Sequence, residues 1–169
     1  IDKHGLVLLL PDGGFKGATA ALAGHAVPAG QALWTCPWGG ADTQFADGTS
    51  VSLSRSTTAA FTEDDEAGAR RIRLRSGVLS VERLPSEPDN VMTIIETLDA
   101  EVVLQRGLVM VVAEQGRTLV EVGTNEATVR RKSDGREIVV KDHEYAVVSA
   151  DEELQAIRGR LQFHVSPTK

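Results

Sequence analysis

Arg71-Ile72-Arg73-Leu74-Arg75-Ser76-Gly77-Val78-Leu79-Ser80-Val81 is the stretch whose reading decides the fold. Successive side chains of a β-strand point to opposite faces, so Ile72 and Leu74 share one face while Arg71, Arg73 and Arg75 share the other. Such a strand is half buried. Ser76-Gly77 reads as a turn, after which 78–81 starts a second run. The same grammar extends upstream, where Asp47-Gly48 leads into 49–53 and Val51 and Leu53 alternate with serines. Downstream, β-branched runs at 91–97, 101–104, 108–112, 118–122, 127–131, 137–140 and 145–149 are separated by turn residues. These separators include 85–90, Glu114-Gln115-Gly116, Gly123-Thr124-Asn125 and Ser133-Asp134-Gly135. Short Val/Ile/Thr-rich runs punctuated this often predict an all-β domain, a sandwich or a β-solenoid-like stack of short antiparallel strands.

Val109-Met110-Val111-Val112 and Val139-Val140 are apolar on both faces, which predicts central strands. Two places have helical character. Residues 17–24 are alanine-rich but bracketed by glycines and too short to stand alone. Residues 151–158 carry acids in a first turn, and Leu154, Ile157 and Leu161 would share a helical face, so a short C-terminal helix is expected. The expected organisation is an N-terminal segment or linker over 1–9, a β domain over 10–150, and a helix and tail over 151–169.

The 169 residues suffice for one domain with its own core. The net charge of −6 argues against a nucleic-acid partner. Cys36 is the only cysteine, so no intrachain disulfide can form. No apolar run reaches 18 residues, and no signal peptide is visible. The opening at Ile1, without Met, leads us to expect a processed or excised piece whose upstream signal or anchor has been removed.

Chemistry has little to build on. His4, His25, His143 and His164 lack metal-ligand spacing, and the acids flanking His143 in Asp142-His143-Glu144 would point away from its ring in a strand. There is no GxSxG, and Trp34-Thr35-Cys36-Pro37-Trp38 lacks a cysteine-nucleophile context. The acidic run 63–66 lacks the alternating ligands and glycine of a calcium loop and reads as a solvated hairpin tip. The glycine pairs at 13–14 and 39–40 read as turns. No catalytic residue, metal site or cofactor is expected, and the chain is read as a non-enzyme.

Two surfaces remain as candidate partner-binding sites. Trp34 and Trp38, the chain's two tryptophans, flank Pro37 in a bend and either plug one end of the core or present aromatic faces to a protein or glycan. Arg71, Arg73 and Arg75, helped by Arg70, either bind an anionic partner, protect a sheet edge, or pair with the acids at 63–66.

Taken in order, the segments resemble the FecR-type (ferric-citrate regulator) domain of Gram-negative envelopes. Val27-Pro28-Ala29-Gly30-Gln31-Ala32-Leu33-Trp34-Thr35 is similar to its entry segment, and Ala46-Asp47-Gly48-Thr49-Ser50-Val51-Ser52-Leu53, followed by Ser56-Thr57, to its DGT segment. Residues 71–81 and 97–104 follow, and 119–132, Ser133-Asp134-Gly135 and 144–148 correspond to the closing hairpins. Two departures stand out. Leu104-Gln105-Arg106-Gly107-Leu108 lacks the family's Gly-Thr pair and aromatic, and Asn125 stands where the family has a glycine turn. Asn tolerates positive φ best among non-glycine residues.

The resemblance implies a periplasmic or extracytoplasmic module, membrane-anchored in the full-length protein through a segment outside this chain. It would relay a signal through protein contacts to an anti-sigma function. Its partner would be an envelope or membrane protein. The alternatives are a structural or scaffold subunit of an envelope assembly, or a carbohydrate-binding module using Trp34 and Trp38.

Overall fold

The computed structural model describes residues 2–11, 14–24, 26–64, 69–84 and 91–161. These residues form fourteen strands and no helix: β1 (Asp2–His4), β2 (Val7–Leu10), β3 (Thr19–Ala20), β4 (Ala32–Thr35), β5 (Gly40–Gln44), β6 (Ser50–Leu53), β7 (Thr58–Asp64), β8 (Ala69–Arg83), β9 (Thr93–Glu96), β10 (Ala100–Glu114), β11 (Arg117–Arg131), β12 (Glu137–Lys141), β13 (Glu144–Ser149) and β14 (Ala156–Arg158). The all-β expectation holds. The sheet is mixed, however, because β9 runs parallel to β8 while every other pairing is antiparallel.

Three of the strands are 15 residues long, and this corrects the picture of short strands. Ser76-Gly77, read from the sequence as a turn, lies inside β8; Gly123-Thr124-Asn125 lies inside β11; and the runs 101–104 and 108–112 are one strand, β10. Each long strand takes different neighbours before and after a kink. Their halves therefore build two limbs. The first limb runs β3-β2-β4-β7-β8-β9-β10-β11-β12, and the second β1-β5-β6-β8-β10-β11-β13-β14. The inward rows of both limbs merge into a single core containing Leu33, Ile72, Leu74 and Val102 from the first limb and Val51, Leu53, Val81 and Val109 from the second. Each such fully buried side chain contributes roughly 1.5–3 kcal/mol relative to its exposed state.

The kinks have one geometry. The residues that each long strand gives to the shared core step by two, except for one step of five: Leu74 to Leu79, Leu104 to Val109, and Val122 to Ala127. An odd step flips the face turned inward, as a β-bulge does, and lets one strand serve both limbs. The backbone at these steps is left-handed, with φ of +94° at Gly77, +104° at Gly107 and +64° at Asn125. Polar groups freed by the kinks are bound by threonines. Thr57 Oγ1 accepts the Val78 N–H at 3.0 Å and donates to the Val78 carbonyl at 3.1 Å, and Thr124 Oγ1 accepts the Leu108 N–H at 3.0 Å.

Other expectations need correction. The C-terminal helix is absent; residues 151–155 cross as bends and loop, and β14 pairs with β13 instead. Arg131 explains part of this, because its buried guanidinium donates to the Ser149 carbonyl at 3.1 Å and the Glu152 carbonyl at 2.6 Å, which draws those carbonyls out of any helical ladder. The alanine-rich 17–24 segment supplies β3 and flanking turns. Among the described residues β12 is bonded to β11 alone, so Val139-Val140 lies at a limb edge, not at its centre. Residues 2–10 supply β1 and β2 to the two limbs.

Arg131 also carries a pH-dependent contact. Its Nε and Nη2 grip Asp134 at 3.0 and 2.6 Å, and these bonds hold the Asp134 carboxyl at about 2, with burial opposing and the Arg136 N–H assisting. A carboxyl depressed in the folded state stabilises it fully above the ordinary value of ~3.9, and that contribution is lost as pH falls toward the folded value. Urea midpoints of the wild type should therefore fall more steeply between about pH 4 and pH 2 than those of Asp134→Asn. Parallel curves would remove Asp134 from the account.

Candidate functional site

The outward rows of the first limb pass from apolar to charged. At the β2 side Leu8 lies opposite Trp34, and Trp34 opposite Thr58. Trp34 is half-buried, and the Phe15 ring meets it edge-on at 5.5 Å and 77°. Its indole is thus engaged within the fold. Trp38 is placed differently, in the turn closed by the Gly39 N–H on the Cys36 carbonyl at 3.1 Å, and is 77% exposed. Pro37 and this tight turn separate the two tryptophans into a strand position and a tip position.

The tip is held from beneath. The Cys36 N–H donates to the Leu6 carbonyl at 3.0 Å, and a Cβ on Gly5 would sit 2.9 Å from the Gly39 Cα, so the β1–β2 link packs tightly under the turn. Leu6 is exposed beside it, while Cys36 is buried.

Arg71, Arg73 and Arg75 lie on the outward face of β8, opposite in phase to Ile72 and Leu74. At Arg71 and Arg73 β8 is bonded on both sides, so these two do not guard a sheet edge. Arg71 pairs with Glu96 of β9 and lies 3.6 Å from Glu101 Oε2 of β10. Arg73 Nε donates to Glu96 Oε2 at 3.2 Å. Glu96 and Glu101 stand directly opposite each other in register, and Arg71 offsets that like-charge juxtaposition. Asp65 and Glu66 of the acidic run lie outside the described residues. Glu96 and Glu101 lie on the outward phase of their own strands, which they share with Ile94 and Val103, so alternation alone did not mark them as partners.

Sequence reading also missed an open depression of about 670 Å³ over the kinks of β10 and β11, lined by Gln105, Arg106, Asn125, Glu126, Lys141 and Asp142 among others. His143, beside it, is exposed and takes φ +60° in the link between β12 and β13. Among the described residues no group of three His, Cys, Asp or Glu side chains converges to hold a metal ion.

The residues singled out in the sequence thus lie on outward rows and turns of a bent all-β scaffold. The sequence pattern of the family described as FecR protein matches residues 31–128, from just before β4 into the second half of β11. The chain belongs to the FecR family, which supports a regulatory, signal-relay role. Members are typically extracytoplasmic parts of membrane-anchored proteins; no helix among the described residues here is long and apolar enough to cross a membrane.

Two solved structures of a proposed anti-sigma factor from Parabacteroides distasonis share the fold. One superposes with a TM-score of 0.65 at 16% identity, over 76% of this chain and 59% of that one. The other gives 0.63 at 17% identity, over 75% and 58%. This chain therefore spans under two thirds of their length. No curated protein matches it.

Proposed function

We propose that the chain is the extracytoplasmic, protein-binding module of a signal-relay regulator, and that its partner docks on the tip carrying Trp38 and Leu6. The observation that supports this most directly is the 77% exposed indole of Trp38. Tryptophan left in water on a braced turn adds little to the core, and tryptophans at interface centres carry a disproportionate share of binding energy. The arginine face is a second contact, limited by its internal pairing: a partner carboxylate must compete with Glu96 for Arg71 and Arg73.

The test is capture of the partner from native membranes. Trp38→Ala should weaken capture by at least about tenfold, a cost of ~1.4 kcal/mol or more, with thermal unfolding unchanged. Replacing Arg71, Arg73 and Arg75 together by Ser should weaken it less. Undiminished capture by Trp38→Ala would remove the tip from the interface. Glycan binding lost in both Trp34→Ala and Trp38→Ala would favour a sugar ligand instead.

A further inference from the structure

We infer that the chain pairs with a second copy of itself through the free edge of β12. The first limb ends on β12, whose sole strand partner among the described residues is β11, in the register Glu126↔Lys141, Ala127↔Val140, Thr128↔Val139, Val129↔Ile138 and Arg130↔Glu137. In an antiparallel ladder, hydrogen-bonded and non-hydrogen-bonded pairs alternate. The Arg131 N–H bonds the Arg136 carbonyl at 2.8 Å, one step before this register, which makes Val129/Ile138 and Ala127/Val140 the bonded pairs. Glu137, Val139 and Lys141 therefore turn their backbone N–H and C=O groups away from β11, toward the open side. An independent contact agrees: the Lys141 N–H goes to Glu144 Oε2 at 2.9 Å and not to β11.

The side chains of this edge identify its occupant. Glu137, Val139 and Lys141 all point outward and are exposed, Val139 by 47%. The sequence Glu-Ile-Val-Val-Lys is self-complementary about Val139. In a two-fold antiparallel pairing centred there, Val139 meets Val139 of the second copy, and each Glu137 meets the other copy's Lys141. Extending the row by one strand on each side gives Arg130, Glu137, then Lys141 and Glu126 of the second copy. Those charges alternate in sign across the whole junction. Within one chain the first step is already made, since Arg130 Nε lies 3.7 Å from Glu137 Oε1.

Edges protected against pairing carry charges that repel a second strand. Here the charges are opposite and equidistant from the centre, so a second copy is attracted in one register. Backbone bonds would run between the two Val139 residues in both directions, and from each Glu137 N–H to the opposing Lys141 carbonyl. None of these requires Glu144 to release Lys141. The interface is isologous, as a two-fold pair demands.

Sedimentation velocity on the whole chain tests this. The wild type should pass from monomer to dimer with rising concentration. Lys141→Glu and Glu137→Lys each put like charges at both ends of the junction and should weaken the homodimer about tenfold or more. An equal mixture of the two variants restores both pairs and should give a heterodimer at least as readily as the wild type dimerises. Val139→Pro should abolish the dimer while leaving thermal unfolding near that of the wild type, because proline is tolerated where a strand N–H faces solvent. A wild type that stays monomeric up to millimolar concentration overturns the inference. So does a mixture no more associated than its parts, or a Val139→Pro chain that unfolds, which would place that N–H in the β11 ladder.

Discussion

Gly107→Ala is expected to destabilise the domain by about 4 kcal/mol and to lower its Tm by on the order of 10 °C. Two effects add at this position. Its φ of +104° is a backbone state that side chains rarely adopt. A Cβ built there would also lie 2.1 Å from the Thr124 carbonyl oxygen and 3.0 Å from the Asn125 side chain. The oxygen belongs to the neighbouring long strand and cannot swing aside. Gly116 separates the two contributions, because its φ is +77° and nothing lies within 4 Å of its would-be Cβ. Gly116→Ala should therefore cost only about 1 kcal/mol. Calorimetry on the two variants decides the matter: equal Tm values would mean that the contact between the β10 and β11 kinks is not tight.

Gly107 also shows where the sequence could be read and where it could not. The alternation Arg71-Ile72-Arg73-Leu74 revealed strand, inward face and outward arginines, because period two is a local property. The kinks misled the reading because Ser76-Gly77 and Gly123-Thr124-Asn125 have turn composition. A left-handed glycine reverses a chain in a hairpin and flips a face in a bulge, and only the partner strands decide between them. The inward residues on either side of each kink are five apart, so the apolar phase changes while the chain direction does not. The helix expected at 151–158 failed for a tertiary reason, the capture of the Ser149 and Glu152 carbonyls by Arg131, 18 and 21 residues upstream. Of the surface residues singled out, Trp38 is exposed at a tip, whereas Trp34 has Phe15 and Arg71 has Glu96 for company. Nothing in residue spacing distinguishes an aromatic that packs from one that projects.

The second large effect is expected at the Asp47-Gly48-Thr49 segment, which does more than turn the β5–β6 hairpin. Gly48 has the positive φ such a turn needs, and Asp47 Oδ1 accepts the Thr49 N–H at 2.9 Å. The same carboxylate pairs with Arg70 at the start of β8, so a turn of the second limb is tied to a strand of the first. Arg70 lies 4.6 Å over the Phe45 ring, and Phe45 meets Phe61 of β7 edge-on at 6.0 Å. The Asp47 and Arg70 side chains are only 10% and 13% exposed. Removing one member of a buried pair strands the other charge, so Asp47→Ala should cost about 3–4 kcal/mol. Arg70→Ala should cost a similar amount. The double variant should cost well under the sum, since no charge is then left alone. The pair also sets a pH response. Burial, the largest single influence on the Asp47 carboxyl, works to raise its pKa, but hydrogen bonds from Arg70 and Thr49 together outweigh it and hold the group below its ordinary value. Its contribution is thus complete above ~3.9 and disappears as pH falls through the lowered value, a slope that Asp47→Asn should lack. Hydrogen exchange locates the damage: in Asp47→Ala the Thr49 amide loses its acceptor, and the Arg70 amide, bonded to the Met92 carbonyl at 2.8 Å, should exchange faster as the limbs part. Additive losses in the two single variants would mean that Asp47 and Arg70 stabilise their own limbs separately and that the core alone holds the limbs together.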